Sequence, residues 1–429
     1  MKSIIQKLWL LVTMLCAATS ASTYDFEVDG MYYKVTSLTD MTCEVAKGDN
    51  KYEGDVEIPS EVSYNNHKLS VTGIGYEAFR GCTSLSSIEI PNSVTAIGDY
   101  AFYYCTSLES ITIPNSVTKI GEYAFYWSSL ETVIIPNSLA YINSYAFGSC
   151  SSLHHVYIPN SVTRINRYAF SGCTSLESIT IPNSVTTIGH NAFQYCDALK
   201  KIILSDALKK IEYGLFYGCS ELECLEIPGS VAMISQHRSG SSYVTFSGCD
   251  NLKRFSILYS PEVLAVGFTN YNGYEEFTMF RWEDWTNTIK ELYIDREINE
   301  NIPVVNLETL ILGKSVKSVQ VQDIKKLNYL TTIKSLALVP PTLSEMTNAQ
   351  YMNMNVVVPD EAIEEYRSHP VWGKFWNLQQ SSGISEISSA SEKTITGRFD
   401  LSGTPVDENF KGLMVVRFSD GTAKKVFQK

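Results

Sequence analysis

A single sentence of residues recurs along this chain. "SLESITIPNSVTKIGEYAF" (Ser107 to Phe125) returns almost unchanged as "SLESITIPNSVTTIGHNAF" from Ser175. The Ile-Pro landmark recurs at Pro91, Pro114, Pro136, Pro159 and Pro182. Ser205 then takes the slot and Pro228 follows, in steps of 23 residues with one of 22. A second landmark, Ala-Phe, brings Phe to 79, 102, 125, 147, 170 and 193, and Phe216 and Phe246 continue it without the Ala. Periodicity this tight specifies stacked repeats, because one such unit cannot bury its apolar face alone and neighbours must cover it.

The repeat reads Leu-x-x-Ile-x-Ile-Pro-x-Ser-Val-x-x-Ile-Gly-x-x-Ala-Phe-x-x-Cys-x-x. Its Leu-x-x-Ile-x-Ile stretch ends in period-2 alternation and predicts a short strand, which Pro terminates by removing a backbone donor. Leu, the Ile residues, Val, Ala, Phe and Cys are the inward set. Gly75, Gly98, Gly121, Asn143, Asn166 and Gly189 share one slot, and both residue types tolerate positive φ. A left-handed corner is therefore expected there, with a strained or differently bent backbone where Glu212 and Ser235 occupy it.

These residues resemble the 23-residue, BspA-like class of bacterial leucine-rich repeats, closely over Tyr76 to Ile257. Tyr24 to Val71 resembles the unit that precedes such arrays. The resemblance implies a secreted or cell-surface protein that mediates adhesion. The fold class expected is a leucine-rich repeat solenoid, an α/β repeat or a mainly-β one, with short parallel strands and few short helices.

The expected organisation is a signal peptide over 1–22, a cap unit over 23–75, regular repeats over 76–257 and irregular repeats over 258–380. A polar linker over 381–392 and a β-rich tail over 393–429 complete it. The first segment carries Lys2 and Lys7, an apolar "LWLLVTMLCAA" and small residues "ATSAS", the grammar of a secretory peptide cleaved near Ser20 to Ser22. Leu15 stands before Cys16 where lipidation requires a small side chain. Around "QHRSGSS" one rung carries about seven extra residues, expected to loop out. After Ile257, "NTIKELYIDREI", "NLETLILGKSV" and "TTIKSLALVPPTL" keep the strand cadence but lose Ala-Phe and Cys. Pro359 and Asp360 then open a short amphipathic helix expected to close the solenoid. The tail, with "DLSGTPV", "KGLMVVRF", the final "DGTAKKVFQK" and turns at Ser402-Gly403 and Asp420-Gly421, resembles the C-terminal sorting domains of type IX secretion in Bacteroidetes.

No segment offers the ~20 consecutive apolar residues of a membrane helix. The net charge of −12 becomes −14 without Lys2 and Lys7 and opposes binding to a nucleic-acid backbone. No catalytic motif, Cys-x-x-Cys pair or phosphate-binding glycine loop is present, so no enzyme, cofactor or metal site is expected. Glu109, Glu131, Glu177 and Glu223 read as a stacked, solubilising acidic stripe. Cys82, Cys105, Cys150, Cys173, Cys196, Cys219 and Cys249 share one slot. Stacked rungs hold equivalent Cβ atoms about 4.8 Å apart, whereas a disulfide wants about 3.8 Å, so a buried ladder of free thiols is expected. Cys43 and Cys224 have no assigned partner.

The function expected is a monomeric binding scaffold, secreted or on the outer surface, that engages a protein or glycan through a solenoid face. The outward slot of each strand holds Glu89, Thr112, Ile134, Tyr157, Thr180, Ile203, Glu226 and Ser256. Ile134, Tyr157 and Ile203, beside His154, His155, Lys200 and Lys201, form the first candidate site for protein recognition. The second belongs to carbohydrate capture and draws on the aromatics around Ala-Phe: Tyr100, Tyr103, Tyr104, Tyr123, Tyr126 and Trp127. The competing reading of those rings is inter-rung stacking that only supports the turn.

Overall fold

The structure is a computed structural model. It describes residues 23–237, 245–258, 260, 265–269, 275–276, 288–297, 304–319, 324–381, 395–400, 412–418 and 423–428. The expected signal peptide, most of the "QHRSGSS" insertion, the expected linker beyond Ser381 and the two expected tail turns lie outside the described residues.

Each rung touches the next along three lines. On the first line are the strands anticipated from Leu-x-x-Ile-x-Ile. Thr132–Ile134 pairs in parallel with His155–Tyr157. From Ser178–Thr180 onward the strands form one nine-stranded parallel sheet that ends at Asn377–Gln380. The rung at 107–113 forms no strand of its own, although Glu131 N–H still donates to the Glu109 carbonyl at 2.9 Å. The second line was not anticipated. Two-residue strands at Val-x-x-Ile stack in parallel, as in Tyr141–Ile142, Arg164–Ile165 and Thr187–Ile188.

The third line runs through the Ala-Phe turns. Phe79 N–H donates to the Ala101 carbonyl at 2.8 Å, Phe102 to Ala124 at 2.7 Å, and Phe125 to Ala146 at 2.8 Å. Their rings stack face to face with centroids 5.1 to 6.4 Å apart from Phe79 to Phe216. Tyr52 from the cap covers the open face of Phe79 at 4.7 Å, and Phe255 closes the far end, edge-on to Phe246 at 5.9 Å. A stack whose ends are covered exposes no ring to water, so the column contributes as a continuous core.

The cap joins the array through its own sheet. Phe26–Val28, Met31–Ser37 and Thr42–Val45 pair antiparallel, and Thr42–Val45 then runs parallel to His67–Ile74, which runs parallel to Ala96–Ile97. Beyond Ile257 the strand line continues through Glu291–Ile294, Thr309–Leu312, Thr332–Ser335 and Asn355–Val358. Short helices Asn348–Asn353 and Ile363–Ser368 pack Tyr351, Ile363 and Tyr366 inward. The helix after Pro359 forms, but it does not end the array: one more parallel strand, Asn377–Gln380, follows it. In the tail, Ile395–Asp400, Gly412–Phe418 and Ala423–Gln428 make a three-stranded antiparallel sheet.

The corner assignment is corrected. None of Gly75, Gly98, Gly121, Asn143, Asn166 and Gly189 has positive φ, and Glu212 and Ser235 are unstrained in that sense too. The left-handed residues stand two and six positions later: Tyr100 and Tyr104, Tyr123 and Trp127, Tyr145 and Ser149. Glycine serves the slot because a Cβ on Gly98 would sit 2.7 Å from the Gly75 backbone, and one on Gly121 would collide with Asp99. Asn143 uses the slot differently, its side-chain amide donating to the Ile120 carbonyl at 2.6 Å.

Candidate functional site

The thiol slot comes first because it could have been reactive. All nine cysteines among the described residues are free, and the seven of the repeat are buried. Each thiol from the second rung onward donates to the carbonyl of the preceding Phe: Cys105 to Phe79 at 3.1 Å, Cys150 to Phe125 at 3.1 Å, and Cys196 to Phe170 at 3.2 Å. Burial pushes the Cys150 thiol up to about 11 and Cys219 to about 12. A protonated, buried thiol is neither a nucleophile nor a ligand. Cys43 is buried likewise, and Cys224 is half-buried. Among the described residues no three His, Cys, Asp or Glu side chains gather as a metal site would require.

On the strand face, alternation places the outward residues as expected. Ile134 is 49% exposed and Tyr157 47%, while Val133, between the outward Thr132 and Ile134, is buried. Ile134 and Tyr157 are direct register partners. Ile203 stands further along, with Thr180 as its partner and only half-exposed, so the apolar stripe is a pair plus an outlier.

The charged column beside it is not the acidic ladder the repeat suggested. Backbone bonds between rungs define the column: the N–H of His154 donates to the Glu131 carbonyl, Lys200 to Glu177, Glu223 to Lys200 and Lys253 to Glu223. Acids and bases therefore alternate along most of the line, and Lys200 pairs with Glu177 at 3.9 Å. Lys200 thus offsets carboxylate charge in this column, and His154 stands in it just before the strand that carries Tyr157. His155 and Lys201 lie one column over, in register with Thr132 and Ser178 respectively.

The aromatic residues of the second site divide. Tyr100, Tyr123, Tyr145 and Tyr168 stack at 4.8, 4.4 and 4.5 Å, each half-buried with its ring faces covered. Tyr103 and Tyr126 stack at 5.6 Å, and the Arg80 guanidinium lies 5.1 Å from the Tyr103 ring. These four of the six candidates support the turn. Tyr104 and Trp127 do not: they are 39% and 48% exposed, with centroids 5.4 Å apart. They edge a shallow groove of about 260 Å³ whose other lining residues are Thr106, Ser128, Ser129, Ser149, Ser151 and Gly172.

Sequence reasoning missed those hydroxyls, and it missed Tyr195, which occupies the same slot as Trp127 with 45% exposure. The signal was available. The slot holds Gly81, Gly172, Gly218 and Gly248 in other rungs, all at positive φ, while Tyr104, Trp127 and Tyr195 hold φ of 61°, 60° and 56° there.

Residues 72–196 and 163–270 match the model of the BspA type leucine rich repeat region, in six copies. No curated protein matches this sequence. Among solved structures, a leucine-rich repeat protein from Bacteroides ovatus is 22% identical, covering 83% of this chain and 100% of its own, at a TM-score of 0.39. The pneumococcal vaccine antigen PcpA is 19% identical over 83% of this chain and 96% of its own, at 0.44. A leucine rich cell surface protein from Faecalibacterium prausnitzii is 22% identical over 57% and 97%, at 0.30. Residues 72–270 are thus similar to the BspA type leucine rich repeat region.

Proposed function

We propose that this protein is a non-catalytic recognition scaffold, exported to the cell surface, that engages a partner protein in adhesin-like fashion through its strand face. The observation that carries the reading is the pair Ile134 and Tyr157, exposed side by side on a face whose other outward residues are mostly polar. Exposed apolar surface rimmed by polar groups marks interaction sites, and a solenoid presents a long face suited to a macromolecular surface. Export through the N-terminal segment and sorting by the C-terminal tail belong to the same proposal. No helix among the described residues is long and apolar enough to cross a membrane.

The test is capture of a panel of extracellular-matrix proteins by the mature chain, run beside a glycan array. Saturable capture of a matrix protein that Ile134→Ser and Tyr157→Ser abolish supports the reading. Capture indifferent to both substitutions contradicts it. A second reading, carbohydrate capture, is favoured by the exposed Tyr104 and Trp127 beside a row of hydroxyls.

A further inference from the structure

We infer that the edge of the array from Tyr104 to Tyr195 is a binding trough for a neutral, extended β-linked hexopyranose chain lying parallel to the solenoid axis. The inference deepens the carbohydrate reading and rests on it, while the strand-face reading stands apart. Five successive rungs contribute one slot each: Tyr104, Trp127, Ser149, Gly172 and Tyr195. Aromatic rings stand at both ends, and small residues form the floor between them.

The backbone supplies the first argument. A bulky residue in the left-handed region is strained, and glycine fills the same slot in other rungs, at Gly81, Gly172, Gly218 and Gly248. Tyr104, Trp127 and Tyr195 accept that strain and yet leave their rings in water. Strain held at an exposed site is the mark of a position retained for function.

Chemistry then selects the ligand. Every slot N–H is already committed to the next rung: Tyr104 to the Tyr126 carbonyl at 2.8 Å, Trp127 to Gly148 at 3.0 Å, Ser149 to Ser171 at 2.6 Å, Gly172 to Gln194 at 2.7 Å and Tyr195 to Tyr217 at 2.7 Å. With these donors in use, a peptide gains nothing here by strand addition. What the trough offers is ring faces and hydroxyls. The C–H face of a pyranose packs on the negative face of an aromatic ring, and its hydroxyls find partners in Thr106 and Ser151, while the Ser129 hydroxyl, which donates to the Thr106 carbonyl at 2.8 Å, can still accept. Between Tyr104 and Gly172 no charged side chain lines the groove, and the chain carries a net charge of −12, so an anionic polysaccharide finds no counter-charge there and meets general repulsion. The rung rise of about 4.8 Å is of the order of one hexose in an extended chain, which aligns successive sugars with successive rungs.

The experiment is calorimetric titration of the full chain with cellohexaose and mannohexaose, with polygalacturonate as the anionic probe. At least one neutral hexasaccharide is expected to bind saturably, with affinity lowered about tenfold or more by Trp127→Gly or Tyr104→Gly. Glycine is native to this slot, so both variants are expected to fold, and Trp127→Ser, the residue at position 149, provides a second check. Tyr195→Gly is expected to weaken hexasaccharides but not the disaccharide cellobiose. Ile134→Ser and Tyr157→Ser are expected to leave sugar binding unchanged. Three results overturn the trough: no neutral hexasaccharide binds, the glycine variants bind like the parent, or polygalacturonate binds best. Sugar binding lost instead in the strand-face variants would retain the carbohydrate reading and move its site.

Discussion

The regular rungs before Ile257 and the irregular ones after it share one sheet but not one architecture. Both supply strands to the same parallel ladder, from Ser178–Thr180 to Asn377–Gln380. Among the described residues the Phe column is followed as far as Phe246 and the thiol column as far as Cys249. In their place stand Tyr366, whose hydroxyl reaches Ser335 at 2.6 Å and the Ala337 carbonyl at 2.9 Å, and Trp372, whose indole N–H donates to the Pro341 carbonyl at 2.8 Å. The strand cadence is the part of a rung that must be kept, because ladder bonds need only register and alternation. The opposite side can be rebuilt with helices, provided that its polar atoms find partners.

The sharpest way to break this comparison is to interrupt the Phe column. Phe147 is fully buried between Phe125 and Phe170, at 5.3 and 5.7 Å. Phe147→Ala is expected to cost about 3–5 kcal/mol, read as a lowered urea midpoint. A loss near zero would mean that the column is ornamental and the strands alone hold the regular half.

Alkaline pH sharpens the same contrast, because cysteine is absent from 258–380. The folded state raises the thiol pKa, so the stability it confers is intact below the unfolded value near 9 and is lost as pH climbs through the folded value, about 11 for Cys150. At pH 11 the loss is on the order of 2 kcal/mol for that thiol. Hydrogen exchange at rising pH, with intrinsic rates corrected, is expected to show the regular rungs opening before the irregular ones. Uniform opening would contradict the assignment.

The inward phase of every regular strand was legible from Leu-x-x-Ile-x-Ile, since alternation leaves no second choice once Ile88, Val133 and Ile202 must be buried. The free thiols were legible from spacing. The corner was not, because glycine serves positive φ and close approach equally and the letter is the same for both. Gly98 answers to the Gly75 backbone, while the left-handed turns fall to Tyr100 and Tyr104, residues that propensity would not place there. Val-x-x-Ile hid the second ladder because two residues are too few to show alternation. For the sites, exposure of Ile134 and Tyr157 followed from phase, but the split among the tyrosines did not. Stacked Tyr123 and open Trp127 differ by four positions in a turn whose geometry only coordinates reveal.

The smallest expected effect is also the most direct test, since the central claim is that the outward strand residues are free of the fold and available to a partner. In one preparation of Ile134→Ser, Tyr157→Ser and Ile203→Ser combined, thermal unfolding and capture of the matrix protein that binds the parent chain would be measured together. The expected result is a stability change of about 1 kcal/mol or less with capture abolished. A loss of several kcal/mol, of the size that truncating buried Val133 or Ile202 would cause, would place the stripe in the core and contradict the account.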